Sequence, residues 1–169
     1  MSSDSFTFQE LETSDEPFLW EMFYQSIYVS PDEPPLSRDV LSLPEIDMYV
    51  ANWGLEGDLG FKAIHEIDKT PVGAIWVRQF KEKNKGYGYV DDDTPEIAMA
   101  VEKAFRNQGI GSALLETLFY QLRKDGVKSV SLSVSLANPA RNLYKRLGFS
   151  DIGQVYDESI TMIRSLRPT

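Results

Sequence analysis

The stretch "PEIAMAVEKAFRNQGIGSALLETLFYQLRKDG" (residues 95–126) constrains the fold more than any other part of the chain. Its first seven residues read as an apolar strand. From Gly109 onward Ile110, Leu114, Leu118 and Leu122 fall four apart, with Ser112, Glu116 and Arg123 on the opposite side, as in an amphipathic helix. Lys124 and Gly126 supply a cation-then-glycine stop. Between strand and helix lie two glycines one residue apart, with Arg106 three positions before the first. Free N–H groups and a macrodipole of about +0.5 charge make a helix start an anion site, and glycines there let a phosphate approach the backbone. The same glycines also suit a helix that merely packs tightly on its strand, so the stretch alone leaves both readings open. A Walker loop fails because Ser112-Ala113 follows the last glycine, and the dinucleotide fingerprint fails because Leu114 stands where its third glycine belongs.

The flanking sequence predicts a mixed α/β plan in the order β-α-α-β-β-β-α-β-α-β-β. "FTFQEL" alternates as a strand, and "TSDEPFLWEMFYQSIY" carries capping residues, Pro17 and helical spacing. "VSPDEPPLS" reads as a loop, and "RDVLSLPEIDMYVANWG" as a second helix interrupted by Pro44 and ending at Gly54. "LGFKAIHEI" and "TPVGAIWVRQF" flank Asp68-Lys69 as a hairpin, and "KEKNKGYGYVDDD" (81–93) reads as a mobile loop or flexible hairpin tip. "VKSVSLSVS" alternates as a half-buried strand, "NPARNLYKRLG" is a short helix, and two strands close the chain. There is no internal repeat and no linker, so residues 1–169 are expected to form one domain.

Several function classes recede on composition. The net charge of −9 argues against nucleic-acid binding, which needs cations on phosphates, and leans weakly toward small cationic partners. No apolar run reaches the ~18 residues of a membrane span, and the first ten residues carry no leader pattern. The absence of cysteine removes disulfides and thiol catalysis and fits a cytoplasmic location. One histidine and scattered acids give no metal-ligand spacing.

The companion motif is "NPARNLYKRLGF" (138–149). Asn138 suits an N-cap and Pro139 the first helical position, Ala140, Leu143, Tyr144 and Leu147 form an apolar stripe, and Gly148-Phe149 suits a Schellman end. On spacing alone Tyr144 is a core tyrosine. R-x-x-G-x-G on a strand–helix turn, then a strand, then an N…LY-x-x-x-GF helix, resembles the GNAT acyltransferases over residues 95–149. The resemblance implies an α/β (α+β) fold with a mostly antiparallel sheet splayed between its fourth and fifth strands and flanked by helices. It implies direct transfer of acetyl from acetyl-CoA to the primary amine of a small molecule or peptide, with no metal. Arg106, Asn107, Gln108, Gly109, Ile110, Gly111 and Ser112 would cradle the pyrophosphate. The pantetheine would lie along the backbone of Met99, Ala100 and Val101, with Asn138 and Tyr144 reaching the pantetheine and the thioester sulfur. In this chain Asn138 lies only five residues before Leu143, one fewer than in many relatives. A homodimer through the last strands is common among such proteins.

Aminolysis needs a neutral amine, an oxyanion stabiliser and a proton for the thiolate. A tyrosine of pKa ~10 remains protonated and can serve a thiolate of pKa ~8.5, which suits Tyr144. Glu96, on the strand face of Ala98 and Ala100, is the candidate base, and the small alanines would leave room for a substrate; the bland alternative is an exposed strand carboxylate. Asp91, Asp92 and Asp93 either draw a cationic acceptor or are simply solvated, and His65 suits a packing histidine. Trp20, Phe23, Tyr24 and Tyr28 suit the core, with one or two at the acceptor pocket. The competing reading is an acyl-CoA-binding sensor or partner module with little catalysis.

Overall fold

The computed structural model describes residues 5–167. Residues 1–4, part of the stretch in which no leader was expected, and residues 168–169 lie outside it. Along the chain come β1 (Phe6–Glu10), α1 (Glu16–Ser26), α2 (Pro44–Asp47), β2 (Leu59–His65), β3 (Thr70–Arg78), β4 (Glu96–Val101), α3 (Ile110–Lys124), β5 (Ser129–Ser135), α4 (Ala140–Arg146), β6 (Ser150–Tyr156) and β7 (Ser159–Ser165). The strands form one sheet in the order β1-β2-β3-β4-β5-β7-β6. Every pairing is antiparallel except β4–β5, which is parallel and meets in register only at Glu96 and Ser131. Past that point the two strands diverge, so the expected splay is present.

The period-two alternation of β3 and β4 sorts the core onto two faces. Ile75, Val77 and Ile97 point one way and pack under Leu114, Leu115, Leu118 and Phe119 of α3. Ala74, Trp76, Ala98 and Ala100 point the other way, under Leu19, Met22 and Phe23 of α1. Each fully buried leucine contributes roughly 1.5–3 kcal/mol. α1 packs over the small side chains of Ala98 and Ala100, and both residues also line the cleft described below.

Two expectations are corrected. The helix expected from Arg38 to Gly54 is instead a 3-10 turn at Arg38–Ser42, the four-residue α2, and turns through residue 52. Pro44 has no N–H and forces Leu43 to extended backbone (ψ 134°). Beyond α2, carbonyls that a helix would have used are taken by Arg78, whose Nη1 donates to Met48 (3.0 Å) and Ala51 (2.8 Å), while its Nη2 pairs with buried Asp58 at 2.8 Å. Nor is the 81–93 segment a free tip. The Glu82 N–H and the Tyr89 hydroxyl donate to Asp92 Oδ1, and the Asp93 N–H donates to Asp91 Oδ1, so these acids bind their own loop. Ser131 Oγ donates to the Gly88 carbonyl at 2.6 Å, tying the loop to β5. His65 packs as expected, its Nδ1 2.9 Å from Asp68 Oδ1 and its ring between Phe6 and Phe105. No helix among the described residues is long and apolar enough to cross a membrane.

Candidate active site

The divergence of β4 from β5 opens a cleft of about 1160 Å³. Its first wall is backbone. The Pro95 carbonyl accepts from the Ser131 N–H, whereas the Glu102 N–H donates to Val72 on β3. Alternation along a strand then turns the main-chain groups of Ile97, Met99 and Val101 toward β5; the bridge at Glu96 and Ser131 engages Ile97, and past it β5 no longer pairs with Met99 and Val101. Unpaired backbone at a strand edge is a template for an extended, amide-bearing ligand.

The mouth of the cleft is the start of α3. Gly109 is its N-cap, in the left-handed region at φ +81°, and no side chain caps the helix. Because the first intrahelical bond runs from the Ala113 N–H to the Gly109 carbonyl, the amides of Ile110, Gly111 and Ser112 have no helical partner. A Cβ at Gly109 would meet nothing within 4 Å, so the cradle is open; one at Gly111 would lie 3.2 Å from Leu143 Cδ2. The two glycines thus differ, one shaping an open turn and the other admitting α4. Arg106, Asn107, Gly109, Ile110, Gly111 and Ser112 line the cleft, as do Met99, Ala100 and Val101. Gln108 is not among the lining residues. The Nε of Arg106 donates to the Val101 carbonyl at 3.0 Å and closes the end of β4.

The third wall is α4. Asn138 caps it as expected in chemistry if not in position: its Oδ1 accepts from the Ala140 N–H at 2.9 Å, while the regular helix begins at Ala140, one residue beyond the expected start. At the other end the Phe149 N–H bonds to the Tyr144 carbonyl and the Gly148 N–H to that of Lys145, with Gly148 at φ +95°, the Schellman pattern anticipated. The helix so fixed places Tyr144 both in the core, edge-on to Phe149 with ring centres 5.7 Å apart, and on the cleft. Burial pushes its phenol up to about 12. Asn138 lines the cleft, and so does Asn142, which the spacing argument passed over.

Glu96 sits at the vertex and also lines the cleft. It is not an exposed strand carboxylate: only 3% of it is accessible. Its Oε2 accepts from the Tyr49 hydroxyl at 2.5 Å, and that hydroxyl accepts in turn from the Tyr87 N–H at 2.7 Å. Its Oε1 is buried without a hydrogen bond, close under Gly86, where a Cβ would come within 2.4 Å. Burial raises the carboxyl to about 7, opposed by the Tyr49 hydrogen bond and the neighbouring Gly88 amide, which favour the charged form. Burial and the Glu96 charge push Tyr49 well above the ordinary tyrosine range, so it stays a donor. Tyr49 and Tyr87 escaped the sequence reading; the pair of glycines in "KGYGY" was the available signal, since both mark close approaches. At Gly88 a Cβ would fall 2.6 Å from the Leu132 carbonyl carbon. Of the first-helix aromatics, Phe23 and Tyr28 reach the cleft, whereas Tyr24 bonds to the Leu36 carbonyl and Trp20 to Glu16.

Comparison with known proteins gives the same fold and names a family. The solved ribosomal-protein-S18-alanine N-acetyltransferase of Escherichia coli superposes with a TM-score of 0.66 at 23% identity, covering 98% of this chain and 96% of that one. The PaiA N-acetyltransferase of Thermoplasma acidophilum, solved with coenzyme A, gives 0.66 at 17%, covering 95% and 99%. In sequence, the ribosomal protein bS18-alanine N-acetyltransferase of Haemophilus influenzae is 33% identical over 111 residues, 54% of this chain and 76% of that protein. A mycothiol acetyltransferase of Brachybacterium faecium is 31% identical over 88 residues, 52% of this chain but only 25% of its own length. Residues 19–149 match the model of the acetyltransferase (GNAT) family. With that match spanning most of the sequence, on the fold and cleft described, the chain belongs to the GCN5-related N-acetyltransferases, a family of acyltransferases.

Proposed function

We propose that this chain is a single-domain N-acetyltransferase that moves an acetyl group from acetyl-CoA directly to the primary amine of a small molecule or peptide. The observation that carries the reading is the cleft between β4 and β5, where a strand edge without a partner runs up to an uncapped helix N-terminus. The residues present fit the donor. The space beside Gly109 and the free amides of Ile110 to Ser112 suit a pyrophosphate, with Lys103, Arg106 and Arg146 along the same cleft. The Met99 and Val101 main chain suits an extended pantetheine, and the H. influenzae and E. coli relatives that act on an alanine of ribosomal protein bS18 lend weight to an amine acceptor.

When bound, acetyl-CoA supplies an acyl group activated as a thioester. The chain's own residues divide the remaining work. Glu96, near 7, is ionised often enough at neutral pH to take a proton from an alkylammonium, directly or through water. A backbone N–H near Met99 would hold developing negative charge on an acyl oxygen. Tyr144 Oη keeps its proton until a thiolate needs it.

Thermal unfolding with and without excess acetyl-CoA tests the donor half. At 100 times its dissociation constant the ligand adds about 2.7 kcal/mol, a shift of several degrees for a domain of this size. Absence of a shift overturns the reading. A shift without turnover on a broad amine panel would leave the binding module in its place.

A further inference from the structure

Resting on that acetyltransferase reading, we infer that the acceptor is a protonated amine borne on an aromatic or broad apolar body with no carboxylate beside the amine. Among the described residues five charged side chains line the cleft, and they are sorted by sign and position. The cations Lys103 and Arg106 lie between β4 and α3, and Arg146 ends α4, all on the side of the sheet where α3 begins. The acids are Glu96 at the vertex and Asp157 in the turn between β6 and β7. The vertex is roofed by α1, Tyr49 and the 86–88 segment, and no cation from these lines the cleft among the described residues. Beside the uncharged Gln25 and Ser26 of α1, what they and Tyr28, just past α1, contribute is aromatic: Phe23, Tyr28, Tyr49 and Tyr87. Phe23 and Tyr49 stack with centres 4.9 Å apart, a flat wall rather than a hydrated one.

Into that wall is set the Glu96 carboxylate, whose Oε1 is buried with no partner at hydrogen-bonding distance, the Gly88 amide being the one backbone donor close to the carboxylate among the described residues. Buried acceptors are almost always satisfied, and an ammonium N–H is the donor whose charge matches. Aromatic faces also attract cations, which favours the protonated amine over a neutral polar group. A zwitterionic amino acid would bring its own carboxylate toward Glu96 with no cation there to receive it. The cations near α3 are already matched to the donor's phosphates.

The test compares 2-phenylethylamine, phenylalanine amide and phenylalanine at saturating acetyl-CoA, following thiol release and confirming products by mass. The first two lack the carboxylate, and their amines bracket that of phenylalanine in basicity, so a preference shared by both is not an ionisation effect. The expected result is a kcat/KM at least tenfold higher for both than for phenylalanine. Their ratio then tells a free amine from the N-terminus of a chain. Phenylalanine turned over equally well or better overturns the inference, as does turnover of none of the three while acetyl-CoA still raises the melting temperature. Loss of that melting shift would instead overturn the donor reading beneath it.

Discussion

At β4 the two faces of the sheet are built by unlike means. On one face α3 and α4 present backbone: uncapped amides at Ile110 to Ser112 and a turn opened by Gly109. On the other, α1, Tyr49 and the 86–88 segment present side chains, packed tightly enough that Gly86 and Gly88 leave no space for a Cβ. A ligand of fixed chemistry can be held by main chain, which any sequence supplies once the turn is right. An acceptor that differs from one protein to the next has to be read by side chains. The contrast implies that the faces can be damaged separately, one through binding of the donor and the other through turnover.

The largest separation is expected at Gly109→Glu. A side chain there enters the space proposed for phosphate and adds a like charge, so acetyl-CoA affinity should fall more than a hundredfold and the melting shift disappear. Gly109→Ala is the control, because it shares the backbone strain of φ +81° and its Cβ touches nothing; it should keep most of the shift. Equal loss in both would mean that conformation, not the cradle, is at stake.

Tyr144→Phe comes next. The ring keeps its packing on Phe149, so the acetyl-CoA shift should stay within a degree or so of wild type, while turnover falls about a hundredfold, the low end for a lost general acid. An unchanged rate would return Tyr144 to the core role that its spacing alone suggested.

The geometry of the face proposed for the donor was legible because its signals are local. Gly109 before a four-spaced apolar helix and Gly148-Phe149 after Tyr144 each do their work within a few residues. The acceptor face depends on partners far apart in sequence: Tyr49 and Glu96 are separated by 47 positions, and Tyr49 and Tyr87 by 38. The residues from Arg38 to Gly54 look helical because Tyr49, Val50 and Trp53 are apolar and closely spaced. They are apolar because they are buried under the sheet, while Arg78 holds the neighbouring Met48 and Ala51 carbonyls in turns. The 81–93 segment looks mobile by composition, yet its glycines are close contacts. Periodicity reports burial, and burial without local pairing does not specify a helix.

Gly86→Ala probes that second face directly. Its Cβ would fall 2.4 Å from Glu96 Oε1, 2.6 Å from Tyr49 Oη and 2.8 Å from the Phe80 ring, all three in buried residues. Something must shift, and overpacking of this kind costs about 1–3 kcal/mol. Turnover should drop about tenfold with the acetyl-CoA shift unchanged. Loss of the shift as well would show the faces to be coupled through the vertex.

The smallest and most specific effect is expected from Tyr49→Phe. Phenylalanine preserves the stacking on Phe23 and the edge contact with Phe80, both at 4.9 Å, and removes only the hydroxyl. In the wild type, burial raises Glu96 to about 7 while the Tyr49 hydrogen bond favours its charged form. Glu96 must be ionised to accept a proton, so kcat at saturating amine should fall as pH drops through about 7. Without the hydroxyl the charged form loses support, the carboxyl rises further, and this acid limb should move upward by about half a unit, with the plateau at higher pH largely kept. At pH 7 that displacement reads as a rate loss of about twofold, recovered at pH 8.5. A merely structural role for Tyr49 would lower the whole profile and leave the limb in place, and a limb that ignored both this change and Glu96→Gln would belong to a group other than Glu96.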